Sequence, residues 1–144
     1  MASRLEFIKW DQARYGLDIP AIDREHETLV GLMATVHALH EAQSDSAALG
    51  AALRDLVAYA RRHFAAEEAF MARIGYTDLT GHALLHQQIL ERTGAFAAQF
   101  ERSGVLPSEF FDFLSIWLNG HIGDLDAQYA AFAAEAVPVR TATR

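Results

Sequence analysis

Six side chains able to hold a metal ion occupy positions where the helical periodicity of this chain calls for an apolar residue: His26, His63, Glu67, His82, His86 and His121. Burying a carboxylate without a partner costs on the order of several kcal/mol, so Glu67 on an inward stripe demands a compensating group. His63 and Glu67 stand at i, i+4 in one helical pattern, and His82 and His86 repeat that spacing in the next. Side chains so spaced lie one above the other and converge well enough to share one ion or flank a pair. A lone inward histidine is more often a hydrogen-bonded core residue than a ligand. Glu68 adjoins Glu67, and one of the two must face out. The whole set is another matter, because a dry interior tolerates so many polar groups only if something polar sits among them. The chain has no cysteine, which removes thiolate zinc sites and iron–sulfur clusters and leaves nitrogen and oxygen donors. His37 lies about 16 Å along the helix from His26, too far to share an ion. It and His40 are expected to be structural or solvent-touching.

The elements that must position these residues are four helices. Prolines occur only at 20, 107 and 138, where helical patterns begin or end. The first helix is expected from about Asp23 to Ala42, with Asp23 as N-cap, Glu25 and Glu27 in its first turn, and Leu29, Met33 and Val36 inward beside His26. The second runs from about Asp45 to Ile74, with Leu49, Leu53, Leu56, Ala60, His63, Glu67, Phe70 and Ile74 on one stripe and Gly75 as its stop. The third spans about Thr80 to Arg102, with His82, His86, Ile89, Thr93, Phe96 and Phe100 inward and Ser103-Gly104 closing it. The fourth begins near Pro107-Ser108 and runs to about Glu135, turning Phe110, Leu114, Trp117, Leu118, His121 and Leu125 inward. Amphipathic helices with short connections predict an all-α, up-down-up-down four-helix bundle. One domain over residues 1–144 is expected, with an N-terminal arm at 1–20 and a loosely ordered tail at 136–144.

The remaining composition narrows the partners. A net charge of −7 argues against nucleic acid and anionic membrane, which reward basic patches. No apolar run approaches the roughly 20 residues of a membrane span, and the first thirty residues carry no signal-peptide pattern. A soluble, cytoplasmic protein is expected.

In order along the chain stand Ile22-Asp-Arg-Glu-His26, His63-Phe-Ala-Ala-Glu67-Glu68, His82-x-x-x-His86 and Trp117-Leu-x-x-His121-Ile-x-x-x-Asp126-x-x-Tyr129. From about Trp10 to Tyr129 the chain resembles the hemerythrin family, and within it the single-domain bacterial members. The resemblance implies a pair of irons: His82, His86 and His121 on one, His26 and His63 on the other, with Glu67, Asp126 and an oxide or hydroxide bridging. The second iron then keeps an open position for dioxygen, walled by Trp117, Leu118 and Ile122. Asp126 is a member that regular periodicity does not supply, since five residues at 100° place it about 140° from His121. Both reach the metals only if the helix widens locally, as a π-bulge does, and Gly120 and Gly123 weaken the helix there. Ferritin-like di-iron enzymes use mostly carboxylates with Glu-x-x-His motifs, whereas imidazoles dominate here and suit iron in its lower oxidation states.

The expected function is therefore reversible dioxygen binding for carriage, storage or delivery, and no catalytic residue is assigned. A di-iron enzyme acting on peroxide or nitric oxide, and an oxygen or redox sensor, stand as alternatives, and delivery to an oxygen-consuming enzyme stays open. Where family members commonly have glutamine before the first histidine, this chain has Glu25, a carboxylate expected to make a ligand imidazole more basic.

Overall fold

A computed structural model describes residues 9–142, with side chains placed for residues 9–135. The order of elements is α1 (Gln12–Tyr15), α2 (Pro20–Glu41), α3 (Ser46–Arg73), α4 (Leu79–Ser103), α5 (Glu109–Ile116), a π-helical segment (Trp117–Leu125) and α6 (Asp126–Ala142). The last three run on continuously, so four long helical rods form the expected up-down-up-down bundle, with no strand among the described residues. None of the described helices is long and apolar enough to cross a membrane.

The ends of the helices follow local chemistry. Asp45 caps α3 by accepting from the Ala48 N–H at 2.8 Å. Gly75 and Gly104 take φ of +70° and +72° just past α3 and α4, a conformation open to glycine without a Cβ clash. The α2 start is one turn earlier than expected. Pro20 occupies the first turn after Ile19, where its fixed φ suits a helix and its missing N–H costs nothing. Asp23 is thus inside the helix, not its N-cap. Its carboxylate instead accepts from the Leu17 N–H at 2.8 Å and from Gln12 Nε2 at 3.2 Å, holding the arm against the bundle. The arm is further fixed where the Tyr15 hydroxyl donates to Asn119 Oδ1 at 3.0 Å. Gly123 lies beneath the Tyr15 ring, where an added Cβ would stand in ordinary van der Waals contact at 3.4 Å.

Two further expectations are corrected. Beyond Glu67 the inward residue of α3 is Met71, fully buried, while Phe70 and Ile74 are only half-buried. The helical backbone also continues past Glu135 through Ala142. Residues 1–8 of the expected arm, the side chains of 136–142 and residues 143–144 lie outside the described residues.

Apolar side chains form two clusters. The larger joins Leu29, Met33, Leu53, Leu56, Phe64, Phe110, Leu114 and Trp117 among others. The smaller joins Ile22, Met71 and Tyr129, with Leu17, Phe70 and Tyr76 against it. On α2, His26 falls between Ile22 and Leu29, and on α3 Glu67 falls between Phe64 and Met71. The polar residues therefore form a layer between two apolar ones.

Candidate metal centre

The seven residues singled out as donors meet in that layer. Each of His26, His63, Glu67, His82, His86, His121 and Asp126 is at most 4% exposed. α2 supplies His26, α3 supplies His63 and Glu67, α4 supplies His82 and His86, the π segment supplies His121, and Asp126 opens α6. The spacing that regular periodicity could not provide is explained by the backbone. The Asp126 N–H donates to the carbonyl of His121, five residues back, so that pair is closed by a π-type hydrogen bond. The local widening brings both side chains to the same interior point.

The two carboxylates divide their oxygens. Glu67 Oε2 lies 3.0 Å from His26 Nε2 and 3.4 Å from His63 Nε2, while Oε1 lies 3.1 Å from His86 Nε2. Asp126 Oδ2 lies 3.0 Å from His26 Nε2, while Oδ1 lies 2.9 Å from His82 Nε2 and 3.3 Å from His121 Nε2. One face of both carboxylates thus serves His26 and His63, and the other serves His82, His86 and His121. Glu67, His82, His86, His121 and Asp126 offer atoms all within 4.8 Å of one another, and so do His26, His63 and Glu67. Glu67 belongs to both groups.

Such a donor set fits metal ions better than it fits itself. Donors about 2.1 Å from one octahedral ion and at right angles stand about 3 Å apart, the spacing seen here. Glu67 Oε1, both Asp126 oxygens, His63 Nε2 and His86 Nε2 are buried without a hydrogen bond, although neighbours lie close. They face shared space more than one another. Unsatisfied buried polar atoms call for an ion or water.

The electrostatics tell the same story. Burial pushes the His26 imidazolium down, but the close carboxylates of Asp126 and Glu67 overcome it and lift the pKa to about 10. His63 and His82 are raised in the same way against burial, chiefly through Glu67 and Asp126 respectively. Burial would raise Glu67, but His26, His63 and His86 hold it well below the usual range. Burial and Glu67 both oppose Asp126, yet contacts with His121, His26 and His82 keep it lowered. The two buried carboxylates require positive charge, and protons on imidazoles supply it where cations do not.

Some contacts escaped the sequence reading. Glu68, a candidate for the outward-facing carboxylate, is half-buried and accepts from His86 Nδ1 at 2.8 Å. Glu25, expected to act on a ligand imidazole, accepts from His63 Nδ1 at 2.7 Å, and what the sequence did not reveal is that this imidazole comes from the neighbouring helix. Phe64 stacks flat on the His86 ring, 3.9 Å between centroids. The Tyr129 hydroxyl donates to Glu67 Oε2 at 2.6 Å, and its pKa is raised by burial and by Glu67 and Asp126. Tyr129→Phe should therefore cost roughly 1–3 kcal/mol, the worth of a buried hydrogen bond to a charged acceptor. Chemical unfolding of the apoprotein measures it, and an unchanged midpoint would show that the contact contributes nothing.

His37 and His40 belong to neither donor group among the described residues. His37 is buried edge-on against Phe111, with ring centroids 5.0 Å apart, and His40 is half-buried beside the same ring. Trp117, Leu118 and Ile122 are all buried. Trp117 and His121 also border a groove of about 520 Å³ lined by α4, α5 and the π segment.

Residues 17–133 match the family model described as the hemerythrin HHE cation binding domain. A bacteriohemerythrin of Pseudomonas aeruginosa is 32% identical over 113 residues, 77% of this chain and 72% of that protein. One of Stenotrophomonas maltophilia is 28% identical over 120 residues, 83% of this chain and 76% of that protein. A crystal structure of a wild-type hemerythrin superposes with a TM-score of 0.74 at 25% identity, covering 85% of this chain and 95% of that one.

Proposed function

This chain belongs to the hemerythrin family, and from that premise we propose that it is a non-haem di-iron protein that binds dioxygen reversibly. The observation that carries the proposal is the division of oxygens: Glu67 and Asp126 each turn one oxygen to His26 and the other to the imidazole group of His82, His86 and His121. Carboxylates shared in this way suit a pair of ions held side by side. Imidazole donors in this number favour iron in its lower oxidation states over magnesium or calcium.

When bound, a pair of irons supplies the electrons that hold dioxygen and release it again. Everything else falls to the protein. His82, His86 and His121 with one oxygen of each carboxylate fill one ion's surroundings more fully than His26 and His63 fill the other's. The ion that His26 and His63 would hold would therefore draw fewer donors from the chain and would be the one left to take up dioxygen. Leu118 and Ile122, with Trp117, keep water from the interior and leave oxidation of the pair without a ready proton or anion. Tyr129 holds Glu67 in place through its hydroxyl.

Iron-loaded protein, reduced without air, should develop a visible absorption band on exposure to oxygen and lose it under argon, over repeated cycles. A preparation that carries iron but stays colourless in air would overturn the proposal. Steady consumption of peroxide or nitric oxide, without a reversible band, would mark an enzyme instead.

A further inference from the structure

Glu25, His63, Glu67, His86 and Glu68 form a row across the bundle. His63 donates through Nδ1 to Glu25 and turns Nε2 to one oxygen of Glu67. His86 donates through Nδ1 to Glu68 and turns Nε2 to the other oxygen of Glu67. The row begins and ends on carboxylates with the same exposure, 36% each, and its three central members are buried. The contacts at its ends, 2.7 and 2.8 Å, have the length of charge-assisted hydrogen bonds. His63 and His86 stand on opposite sides of Glu67, so each proposed ion has one imidazole with a charged outer partner. His26, by contrast, has a buried Nδ1 without a hydrogen bond.

We infer that Glu25 and Glu68 are paired positioning residues that balance the two metal positions, Glu25 acting on the ion beside His63 and Glu68 on the ion beside His86. A carboxylate accepting from Nδ1 fixes the tautomer that leaves Nε2 free for a metal, and makes that nitrogen a stronger donor. Stronger donation favours the more highly charged oxidation state. With one such carboxylate on each side, the reduction potentials of the two ions are held level, and electrons enter or leave the pair together. Replacing one carboxylate by its amide keeps a hydrogen-bond acceptor and removes the charge from one side only. The inference rests on the reading of the centre as a di-iron site.

The test is a redox titration of the iron-loaded wild type, E25Q, E68Q and the double variant, followed by electron paramagnetic resonance. The exposed Glu27, on the same helix, is the control as E27Q. Each single variant should raise one ion's midpoint by about 59 mV or more, equivalent to a tenfold shift in ferric over ferrous affinity. A mixed-valent signal should therefore grow in both. In the double variant the midpoints should come level again at a higher value, and the signal should shrink. Two irons bound with midpoints unchanged in E25Q and E68Q would overturn the inference. So would a double variant with a mixed-valent signal as large as the singles'.

Where a variant loses iron, stepwise cobalt(II) binding to the apoprotein reads the same property once circular dichroism shows its helices intact. One of the two steps should weaken by roughly 10–100-fold, and equal weakening of both, or of neither, overturns the inference. A wild type that binds fewer than two irons would instead overturn the di-iron reading itself.

Discussion

Replacing Glu67 with alanine should abolish metal binding at both imidazole groups at once. Among the described residues, no other has an oxygen against His26 and His63 together with another against His86. The loss of affinity should exceed by far the roughly 100-fold that follows removal of an outer partner, and iron analysis after gel filtration reads it. The apoprotein should suffer as well. Removing the anion leaves the Tyr129 hydroxyl and up to three imidazoles buried without their partner, and breaking such a buried pair costs about 3–5 kcal/mol. His37→Ala is the contrast: it removes packing against Phe111 and should leave the iron content unchanged. Retention of both irons in Glu67→Ala, or their loss in His37→Ala, would show that the inward face has been misassigned.

The second large effect is a pair of opposite responses to pH. In the apoprotein the His26 pKa stands near 10 against an ordinary 6.5, and those of His63 and His82 are raised. A raised imidazole stabilises the fold fully below pH 6.5 and loses that contribution as pH rises through the folded value. Glu67 and Asp126 are lowered from 4.5 and 3.8, so their contribution is present above those values and disappears in acid. The apoprotein should therefore be most stable between about pH 4.5 and 6.5 and weaken towards pH 10. Metal binding runs the other way. An ion must displace the protons on these nitrogens, so apparent affinity rises about tenfold per pH unit for each proton released. The gap in melting temperature between iron(II)-loaded and metal-free protein should widen steadily from pH 5 to pH 9. An apoprotein more stable at pH 9 than at pH 6 would contradict the charge arrangement described for the centre.

Much of the centre is legible in the sequence because its strongest geometry is local. The pairs 63/67 and 82/86 depend only on the rise and turn of one helix, and inward stripes of leucine and phenylalanine fix which way they point. Contacts between helices are a different matter. Whether Glu68 faces solvent or reaches His86 depends on the rotation of α4 against α3, and Glu25 finds His63 only once α2 and α3 are packed. Tyr129 was visible as the end of a motif, but its bond to Glu67 spans 62 residues of sequence. The start of α2 was misplaced for a simpler reason. Asp23 and Pro20 are both good helix starters, and the proline prevailed because Asp23 has partners in the arm. At Met71 the ideal stripe drifts, since seven or eight residues on from Phe64 or His63 fall on nearly the same face.

The π segment has a consequence for the length of the chain as distinct from its composition. A helix that takes one residue more than usual to complete a turn behaves, for everything after it, as though a single residue had been inserted. α6 is therefore phase-shifted by about 100° relative to a regular continuation of α5. Asp126 and Ala133, both buried, lie about 140° and 120° from His121 on a regular helix and reach the core through the shifted phase. Deleting one residue between Ile122 and Leu125, past the donor His121, would restore a smoother helix and swing Asp126, Tyr129 and Ala133 round together. An in-frame three-base deletion just after His121 should thus dismantle the centre without removing a donor, whereas Gly123 and Asp124, which are not donors, should tolerate substitution far better than loss.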